Sequence, residues 1–311
     1  MAVTVDVVGV GLNAIDTLIH VAQYPACGAK VESQSVEVLP GGQVATATIA
    51  CARWGLRTRY VGKLGDDSAT GLHREEFSRA GVETQILTVG GCASQQAFIL
   101  VDSQGERTVL WRREDRLELR PEELDCEWII NARALLVDGY DTAAAIAAAT
   151  WAREAGIPVI ADLDHAYPGV ETLLEKIDYL IVSRDFPTRI SGEPGLRSSL
   201  PLLQRRYRSR ISAATLGMDG VLAWDGDQFH YAAAYRVPVA DTTGAGDIFH
   251  AGFIFALLQG WPLQKQLDFA CAAAALNCTG SGARGGIQDI EAIEELMATG
   301  SRYPHPARLN L

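Results

Sequence analysis

Apolar, β-branched runs alternate with longer helical patterns along most of the chain. VTVDVVGVG at 3–11 predicts a buried strand, and QVATATIACARWG at 43–55 predicts a helix that ends at Gly55. Further along, ALLVDGY, TAAAIAAATWAREAG and IPVIADLD repeat the order of strand, helix and strand. Strands joined by crossover helices predict a mainly parallel central sheet between layers of helices. The expected fold class is therefore α/β, a three-layer sandwich.

The remaining segments extend this pattern. TRYVGKLG, IDYLIVS and ISAATLG are predicted strands, and SATGLHREEFSRAG is an amphipathic helix that stops at Gly81. VLAWDGDQFHYA has the pattern of a β-hairpin. Helices are also predicted at 245–259, at 263–278 and near 289–298.

Two segments break the alternation of strands and helices. SQQAFILVDSQGERTVLWRRE, at 94–114, predicts two strands joined by a Ser-Gln-Gly turn, and polar and apolar residues alternate at 30–39. Both are expected in a small antiparallel layer outside the main sheet, which we interpret as a lid. We expect residues 1–311 to form a single domain with lid segments at about 14–40 and 92–114 inserted within it. An apolar lid face favours pairing with a second copy, so we expect a homodimer.

Composition and charge argue against several classes of protein. Of the 311 residues, 48% are hydrophobic and 21% are charged, and the formal net charge is −11. An acidic chain does not present the basic face that nucleic acids or anionic lipids require. The apolar runs fall short of the ~18 residues of a membrane span, and the first residues lack the pattern of a signal peptide. The six cysteines include no C-x-x-C pair and no zinc spacing, so we expect free thiols in a cytoplasmic protein.

The most informative segment is VADTTGAGDIFHAGFIFALL at 239–258. Strand-like residues lead through Gly244-Ala245-Gly246-Asp247 directly into an apolar helix. Glycines allow a tight turn and a close approach of the backbone to a ligand, and the N–H groups at a helix start favour an anion. Asp247, in the first turn, either caps this helix or accepts a proton beside the bound anion.

The string DTTGAGD resembles the C-terminal signature of the ribokinase-like, or PfkB, carbohydrate kinases. Among these, the chain is most similar to ketohexokinase-like and sulfofructose-kinase-like members. The resemblance implies the ribokinase-like fold, with a β-sheet lid, and ATP and Mg²⁺ as cofactors. It also implies that the loop forms an anion hole for the transferring phosphate and that the final aspartate deprotonates the sugar. The catalytic residues would then be Gly244, Ala245, Gly246 and Asp247.

Two N-terminal segments resemble the family's sugar-binding segments. GLNAIDTL resembles the segment whose aspartate hydrogen-bonds sugar hydroxyls, which implies this role for Asp16. PGGQVATATIACARWG resembles the first family signature, although Thr46 stands where asparagine is usual. Tyr140 falls where sulfosugar kinases are expected to have an arginine, which weakens a sulfonated substrate. The implied substrate-binding residues are Asn13, Asp16, Gly41, Gly42, Thr46 and Tyr140.

The nucleotide side also resembles the family, with one departure. ATLGMDG at 214–220 and NCTGSGARGG at 277–286 resemble the segments beside the nucleotide. The implied ATP-binding residues are Thr215, Gly217, Gly220, Asn277, Gly282 and Ala283. Asp241 and Thr243 are implied ligands of a monovalent cation such as K⁺. The family's N-x-x-E pair, which organises metal-bound phosphate, falls on Ser183 and Phe186, and neither supplies a carboxylate.

The resemblance implies ATP-dependent phosphorylation of a hydroxymethyl group on a sugar or sugar-like molecule of the ribose, fructose or ketosugar class, with Asp247 as the general base. Two alternatives remain open at this point. One is a nucleoside kinase of the same fold, and the other is a non-catalytic sensor of sugar or nucleotide, which the missing N-x-x-E pair favours. The expected partners are the sugar, ATP and a second copy of the chain.

Other motifs carry less weight. Gly9-x-Gly11-x-x-Ala14 matches the dinucleotide fingerprint in form, but the residues that follow read poorly as the helix this motif requires. Arg113, at the end of the lid hairpin, is interpreted as a surface residue. His250 is interpreted as a packing or surface residue, and Arg284 contacts either phosphate or solvent. Asp162 and Asp164 follow a predicted strand and lie either at the site or in a solvated loop.

Overall fold

The computed structural model describes residues 3–305. The strands are β1 (Val7–Val10), β2 (Ala14–His20), β3 (Ser35–Gly41), β4 (Thr58–Gly65), β5 (Glu83–Val89), β6 (Gln96–Val101), β7 (Arg107–Arg112), β8 (Ala134–Asp138), β9 (Val159–Leu163), β10 (Tyr179–Ser183), β11 (Ile211–Thr215), β12 (Val221–Trp224) and β13 (Phe229–Ala232). The helices are α1 (Gln43–Arg53), α2 (Ser68–Ala80), α3 (Thr142–Glu154), α4 (Val170–Leu174), α5 (Phe186–Ser191), α6 (Leu196–Tyr207), α7 (Ala245–Leu258), α8 (Leu263–Asn277) and α9 (Ile290–Thr299).

The main sheet has nine strands in the order β13-β12-β11-β10-β9-β8-β1-β4-β5. The strands from β11 to β5 along this order run parallel, whereas β12 and β13 form an antiparallel hairpin at one edge. β1 lies inside the sheet, with Val7–Val10 paired to β4 on one side and β8 on the other. The predicted mainly parallel sheet and the predicted second hairpin are therefore both present.

Helices cover both faces of this sheet because successive strand residues point to opposite sides. On β1, Val7 packs in the core formed with α1, α7 and α8, whereas Val8 packs in the core formed with α3 and α4. On β8, Leu136 packs in the same core as Val7, and Leu135 packs in the same core as Val8. The two apolar cores lie on opposite faces of the sheet, which confirms the three-layer α/β fold.

A separate four-stranded sheet has the order β3-β2-β6-β7. β2 pairs with β6 in parallel, and the two outer pairs are antiparallel, so the layer is mixed rather than wholly antiparallel as the alternation had suggested. One face buries Leu18, Ala97 and Ile99. The other face carries apolar side chains that are each more than 40% exposed, namely Val36, Val38, Phe98 and Leu110. Hence the small sheet has an inner face that packs on the domain and an outer apolar face.

The fingerprint at Gly9–Ala14 does not open a helix. β1 continues through Gly11 into β2, which is a strand of the small sheet. The residues that read poorly as a helix are thus extended. A dinucleotide-binding fingerprint requires a helix at this point, so the dinucleotide interpretation is wrong.

Some elements had no counterpart in the sequence analysis. α6 is one of them, and it contains Pro201 in its interior, where proline removes a backbone donor and weakens the helical pattern.

The most apolar helix, α7, is buried between α1 and α8 rather than exposed. Among residues 3–305, no helix combines the length and apolar character needed to cross a bilayer.

Candidate active site

A cavity of about 160 Å³ lies between the small sheet, the start of α7 and the carboxyl ends of the central strands. Parallel sheets commonly place their ligand sites at this edge. Of the predicted site residues, it is lined by Asp16, Gly42, Tyr140, Thr243, Gly244, Asp247 and Ala283. Asp164, for which the site was one of two alternatives, also lines it. The lining further includes residues that had not been predicted at the site, namely Leu12, Ala14, Gln43, Gln95, Ala97, Ile99, Arg107, Val109 and Trp111.

The start of α7 is held in a conformation that depends on glycine. Gly244 is the N-cap residue and has a left-handed backbone with φ of 77°. A Cβ at this position would overlap the carbonyl oxygen of Ala283, whereas a Cβ on Gly246 would meet no atom within 4 Å. The first turn of α7 therefore touches the glycine-rich loop closely while the backbone at Gly246 stays uncovered. Asp247 follows in this first turn, and its carboxyl group faces the cavity.

Hydrogen bonds lock the 241–247 loop to the 277–286 loop. The Asp241 carboxylate accepts from the backbone N–H of Thr243 and from that of Gly282, both at 2.8 Å. The Asn277 amide donates to the carbonyl oxygens of Ala283 at 3.0 Å and Thr243 at 3.3 Å. Asp241, Asn277 and Gly282 thus support the loops and do not line the cavity. The Oγ1 of Thr243 and the Oδ1 of Asn277 are buried, with no hydrogen-bond partner within the described part of the chain.

On the opposite side, β2 and the start of α1 bring Asp16 next to two glycines. A Cβ on Gly41 would overlap the Asp16 carboxylate, and a Cβ on Gly42 would overlap the backbone of Asn13. Gly42, with φ of 94°, is the N-cap residue of α1. The two glycines therefore let this backbone pass close to Asp16 and leave its carboxylate at the cavity.

Two predicted sugar ligands have other partners in the structure. The Asn13 amide donates to the Tyr60 hydroxyl at 2.7 Å and to the Lys63 carbonyl at 3.0 Å. The Thr46 hydroxyl accepts from the Nε of Arg284 at 3.0 Å. Neither side chain lines the cavity.

Arg284 is buried, so the expectation that it contacts solvent is wrong, and its contact with phosphate stays a prediction. Its buried guanidinium also donates to the Gly41 carbonyl at 2.8 Å and pairs with Glu76. It therefore reaches from the glycine-rich loop beneath the start of α1. Arg113 is likewise no surface residue, since it is mostly buried and pairs with Asp141 at 2.8 Å.

The carboxyl groups of the cavity are electrostatically perturbed. Burial raises the pKa of Asp16 to about 7, while the nearby charge of Arg284 lowers it. Burial also raises the pKa of Asp247, against the lowering effect of the positive charges of Arg107 and Arg284. A cleft with perturbed carboxyl groups is typical of an active site.

The small sheet forms one wall of the cavity, and alternate residues of β6 and β7 face it. Ala97 and Ile99 on β6, and Arg107, Val109 and Trp111 on β7, all line the cavity. Trp111 packs edge-on against Tyr140, with 5.8 Å between ring centroids. The strand alternation in the sequence contains this set, but the sequence alone does not show which of the two faces turns toward the site.

The remaining predicted nucleotide residues lie near the ends of β11 and β12. Thr215 ends β11, and Gly217 and Gly220 have left-handed backbones in the turn that follows. Arg184 fixes this turn through the Asp219 carboxylate at 2.7 Å. These residues lie outside the cavity lining.

Ser183 and Phe186, which fall at the positions of the family's N-x-x-E pair, make other contacts. Ser183 donates to the Asp164 carbonyl oxygen at 3.2 Å, and Phe186 is buried in the apolar core. Among residues 3–305, no group of three or more His, Cys, Asp or Glu side chains is arranged to hold a metal ion.

His250 and Asp162 form a buried pair behind the start of α7. The Nδ1 of His250 lies 3.3 Å from an Asp162 carboxylate oxygen, and both side chains are almost completely buried. Asp162 is therefore not in a solvated loop, and His250 is not a surface residue. Asp164, two residues further, lines the cavity itself.

Comparisons with known proteins agree with this geometry. A family model described as pfkB family carbohydrate kinase matches residues 6–290. A 5-dehydro-2-deoxygluconokinase from Geobacillus kaustophilus is 26% identical over 94% of this chain and 93% of its own length. An ATP-dependent ribose-1-phosphate kinase from Halopiger xanaduensis is 30% identical over 86% of this chain and 90% of its own length. The solved structure of Arabidopsis thaliana ribokinase complexed with ribose and ATP superposes with a TM-score of 0.80 at 24% identity, covering 96% of this chain and 100% of that one.

The chain belongs to the PfkB family of carbohydrate kinases. Its fold is ribokinase-like, as the sequence predicted, and its activity is that of an ATP-dependent sugar kinase. Its substrates are accordingly ATP and a small sugar.

Proposed function

We propose that this kinase transfers the γ-phosphoryl group of ATP to a hydroxymethyl group of its sugar, with Asp247 as the general base. The observation that carries the proposal is the position of Asp247. Its carboxyl group shares one cavity with Asp16 and immediately follows the Gly244 turn at the start of α7. A sugar hydroxyl held by Asp16 and a phosphate held at the α7 N-terminus would meet beside Asp247.

The chemistry divides between the two sides of the cavity. Asp16 accepts hydrogen bonds from sugar hydroxyls, and the backbone at Gly42 approaches the ring. The N–H groups of the 244–247 turn stabilise the negative charge of the transferring phosphoryl group. A sugar hydroxyl is a much weaker acid than a carboxylic acid, so its proton moves to Asp247 late, as the O–P bond forms.

Mg²⁺ supplies charge neutralisation of the ATP phosphates in this reaction. Since Ser183 and Phe186 provide no carboxylate, the ion is held mainly by ATP and water. The unpartnered Oγ1 of Thr243 and Oδ1 of Asn277, next to the Asp241 carboxylate, fit a K⁺ site. We expect excess EDTA to abolish turnover, whereas replacement of K⁺ by Na⁺ tests the second site alone. Undiminished turnover in EDTA would contradict the Mg²⁺ requirement.

The experiment that tests the base is Asp247→Asn. Asparagine keeps the size of the side chain and caps a helix about as well as aspartate, but it cannot take the proton. We expect turnover to fall by roughly 10²–10⁴-fold, the usual contribution of a general base, with sugar and ATP dissociation constants within a few fold of wild type. Near-normal turnover, or loss of both ligands with an intact fold, would show that the residue or its role is wrong.

The substrate class is best narrowed by the side chains that face the cavity. Arg107 lines it, together with the carboxylates and the aromatic wall, and supplies a cation for an acidic group on the sugar. The relative named 5-dehydro-2-deoxygluconokinase acts, by its name, on such a keto sugar acid. We therefore favour a ketosugar acid over a neutral pentose or a nucleoside.

An ADP-release assay separates these substrate classes. The panel contains 5-dehydro-2-deoxygluconate, ribose, fructose, ribose 1-phosphate and adenosine, each with ATP. Highest kcat/KM for the keto acid, and loss of that preference in Arg107→Gln, is the expected result. Sugar binding without any ADP release would instead favour the non-catalytic sensor.

The small sheet acts as a lid in this proposal. The Arg107 guanidinium donates to the Thr242 carbonyl, and the Thr242 hydroxyl donates to the Gly105 carbonyl at 3.0 Å. The sheet is thereby fastened to residues 241–247, which we call the phosphate loop. The exposed outer face around Phe98 and Leu110 pairs with a second copy. Sedimentation should show a wild-type dimer and a monomeric Leu110→Asp variant, and a monomeric wild type would contradict the pairing.

A further inference from the structure

The buried imidazole of His250 is surrounded by oxygen atoms that accept hydrogen bonds. Its Nδ1 lies 2.8 Å from the Gly246 carbonyl oxygen and 3.3 Å from the Asp162 carboxylate. Its Nε2 lies 3.0 Å from the Ile181 carbonyl oxygen. The residue is 2% exposed, so water does not replace any of these partners.

A neutral imidazole has one N–H group and one bare nitrogen. Either neutral tautomer of His250 would therefore point a lone pair at a carbonyl oxygen about 3 Å away, which is a repulsive contact in a dry interior. The doubly protonated ring donates to both carbonyl oxygens, and Asp162 balances its charge.

The geometry points to His250 as a buried imidazolium, paired with Asp162, that acts as a positioning residue behind the phosphate loop and keeps Asp247 ionised. The ring holds the Gly246 carbonyl on the side away from the cavity, and its charge lies in the second turn of α7, one turn after Asp247. This inference rests on the proposed role of Asp247 as the base.

The charges around the pair act in opposing directions. Burial lowers the pKa of His250 below its ordinary value and outweighs its bonds to Gly246 and Ile181 and the charge of Asp247, all of which raise it. The two carbonyl contacts, which only N–H groups satisfy, favour the charged ring against this effect of burial. In return, the imidazolium lowers the pKa of Asp247, which burial raises. Burial raises the pKa of Asp162 well above its ordinary range, as do the charges of Asp247 and Asp164, whereas an imidazolium beside it favours its ionised form. Asp164 also raises the pKa of Asp247, whereas Arg107 and Arg284 lower it. Of these cations, only His250 lies on the same helix as Asp247.

A second buried histidine provides an internal reference. The Nε2 of His73, on α2, lies 3.0 Å from the Ala14 carbonyl oxygen, and its Nδ1 has no hydrogen-bond partner within residues 3–305. Burial lowers the pKa of His73 to about 3. Its surroundings require one N–H group and leave the other nitrogen bare.

The protonation states are measured by ¹⁵N NMR of the wild-type protein labelled at histidine, at neutral pH. His250→Asn and His73→Gln identify the two sets of signals, and His250→Gln serves if the asparagine variant does not fold. We expect two N–H nitrogens for His250 and one N–H with one bare nitrogen for His73. A bare nitrogen on His250 would overturn the inference, whatever the role of Asp247.

The effect on Asp247 is measured in the pH dependence of kcat, whose acid limb reports the base in the ternary complex. In His250→Asn, the amide still donates to the Gly246 carbonyl but carries no charge. Removing a nearby cation raises the pKa of a carboxyl group, so the acid limb should move to higher pH by about one unit. Sugar and ATP dissociation constants should stay within a few fold, because His250 does not line the cavity.

His73→Gln is the matched control and should leave the acid limb in place. An acid limb that does not move in His250→Asn, or that moves to lower pH, would overturn the positioning role even if the ring is doubly protonated. Failure of the proposed function has a different signature. It would appear as near-normal turnover in Asp247→Asn, and the NMR result would be unaffected.

Discussion

The two halves of the cavity are built differently. The loop half, residues 241–247 and 277–286, presents mainly backbone, together with Asp247. Its backbone N–H groups donate to the Asp241 carboxylate, and the Asn277 amide donates to its carbonyl oxygens. The sheet half consists of side chains that come from β2, β6, β7 and Tyr140, which lies in the loop after β8. One half is thus specified by two short segments, and the other by residues that only the fold brings together.

This difference matches the chemistry that each half serves. The phosphoryl group that ATP donates is the same whichever sugar accepts it, and fixed N–H groups at a helix start are sufficient to hold it. Sugars differ in their hydroxyls and charges, and side chains on strands can change without disturbing the backbone that carries them. The loop half should therefore respond to backbone changes, and the sheet half to side-chain changes.

The largest expected effect comes from Gly244→Ala, which alters only the backbone of the loop half. The new Cβ would overlap the Ala283 carbonyl oxygen, and the residue must keep a left-handed φ of 77°. Displacing one N–H of an anion hole typically lowers turnover by about 10²–10³-fold, and we expect a fall of at least about 10²-fold. Stopped-flow kinetics measure turnover. Titration with the sugar measures its dissociation constant, which should change little.

Gly246→Ala is the matched control for this variant. Its Cβ would meet no protein atom within 4 Å, so its melting temperature should equal that of wild type, while Gly244→Ala should melt lower. Equal stability of the two variants would show that contact between the two loops is not what fixes the turn.

A smaller effect is expected from Asp16→Ala, which removes a side chain of the sheet half. Sugar hydroxyls left without an acceptor in the closed cavity cost about 1–3 kcal/mol, so the sugar dissociation constant should rise by roughly 10–100-fold. The ATP dissociation constant should stay within a few fold. Isothermal titration with each ligand measures both, and an equal loss for ATP and sugar would contradict the division of the cavity.

The smallest effect concerns stability. Burial raises the pKa of Asp16 to about 7, above its unfolded value near 3.9, so the folded state binds more protons than the unfolded state between these values. Wild-type stability should therefore fall as pH rises through this interval, because a buried charge develops. Asp16→Asn avoids that charge. At about pH 8 it should melt about 2–4 °C above wild type, and at about pH 4 the difference should vanish.

Asp227→Asn removes one negative charge from an exposed turn and serves as the control for net charge. It should show no comparable change between the two pH values. Asp16→Asn melting no higher than wild type at the higher pH would indicate that the Asp16 carboxylate is well solvated in the fold.

The fold could be predicted from the sequence to a large extent because its signals are local. The β-branched runs, the crossover helices and the hairpin at β12–β13 each appear within a short window. α6 was not assigned, since it contains Pro201, and β2 was placed in the lid but not assigned as a strand, since it also pairs with β6, far along the chain. Their formation depends on tertiary contacts that a local pattern does not contain.

The same reasoning explains how far the site could be predicted. Asp247, Gly244 and Asp16 were found because their motifs are contiguous, and the structure brings them to one cavity. The burial of Arg284 was not predicted, because its partners Thr46 and Glu76 are more than 200 positions away in sequence. Such pairings follow from the fold and leave no trace in spacing or periodicity.

The position of β1 within the sheet has a consequence for how the protein is made. This strand is synthesised before both of its neighbours in the sheet, β4 and β8. Until Ala134–Asp138 has emerged, one edge of a fully buried strand, Val7–Val10, lacks its partner. An unpaired apolar edge is a template for association with other chains. The order of the elements therefore gives the nascent chain a long interval in which its first strand depends on chaperones, or on early docking of α1, to stay soluble.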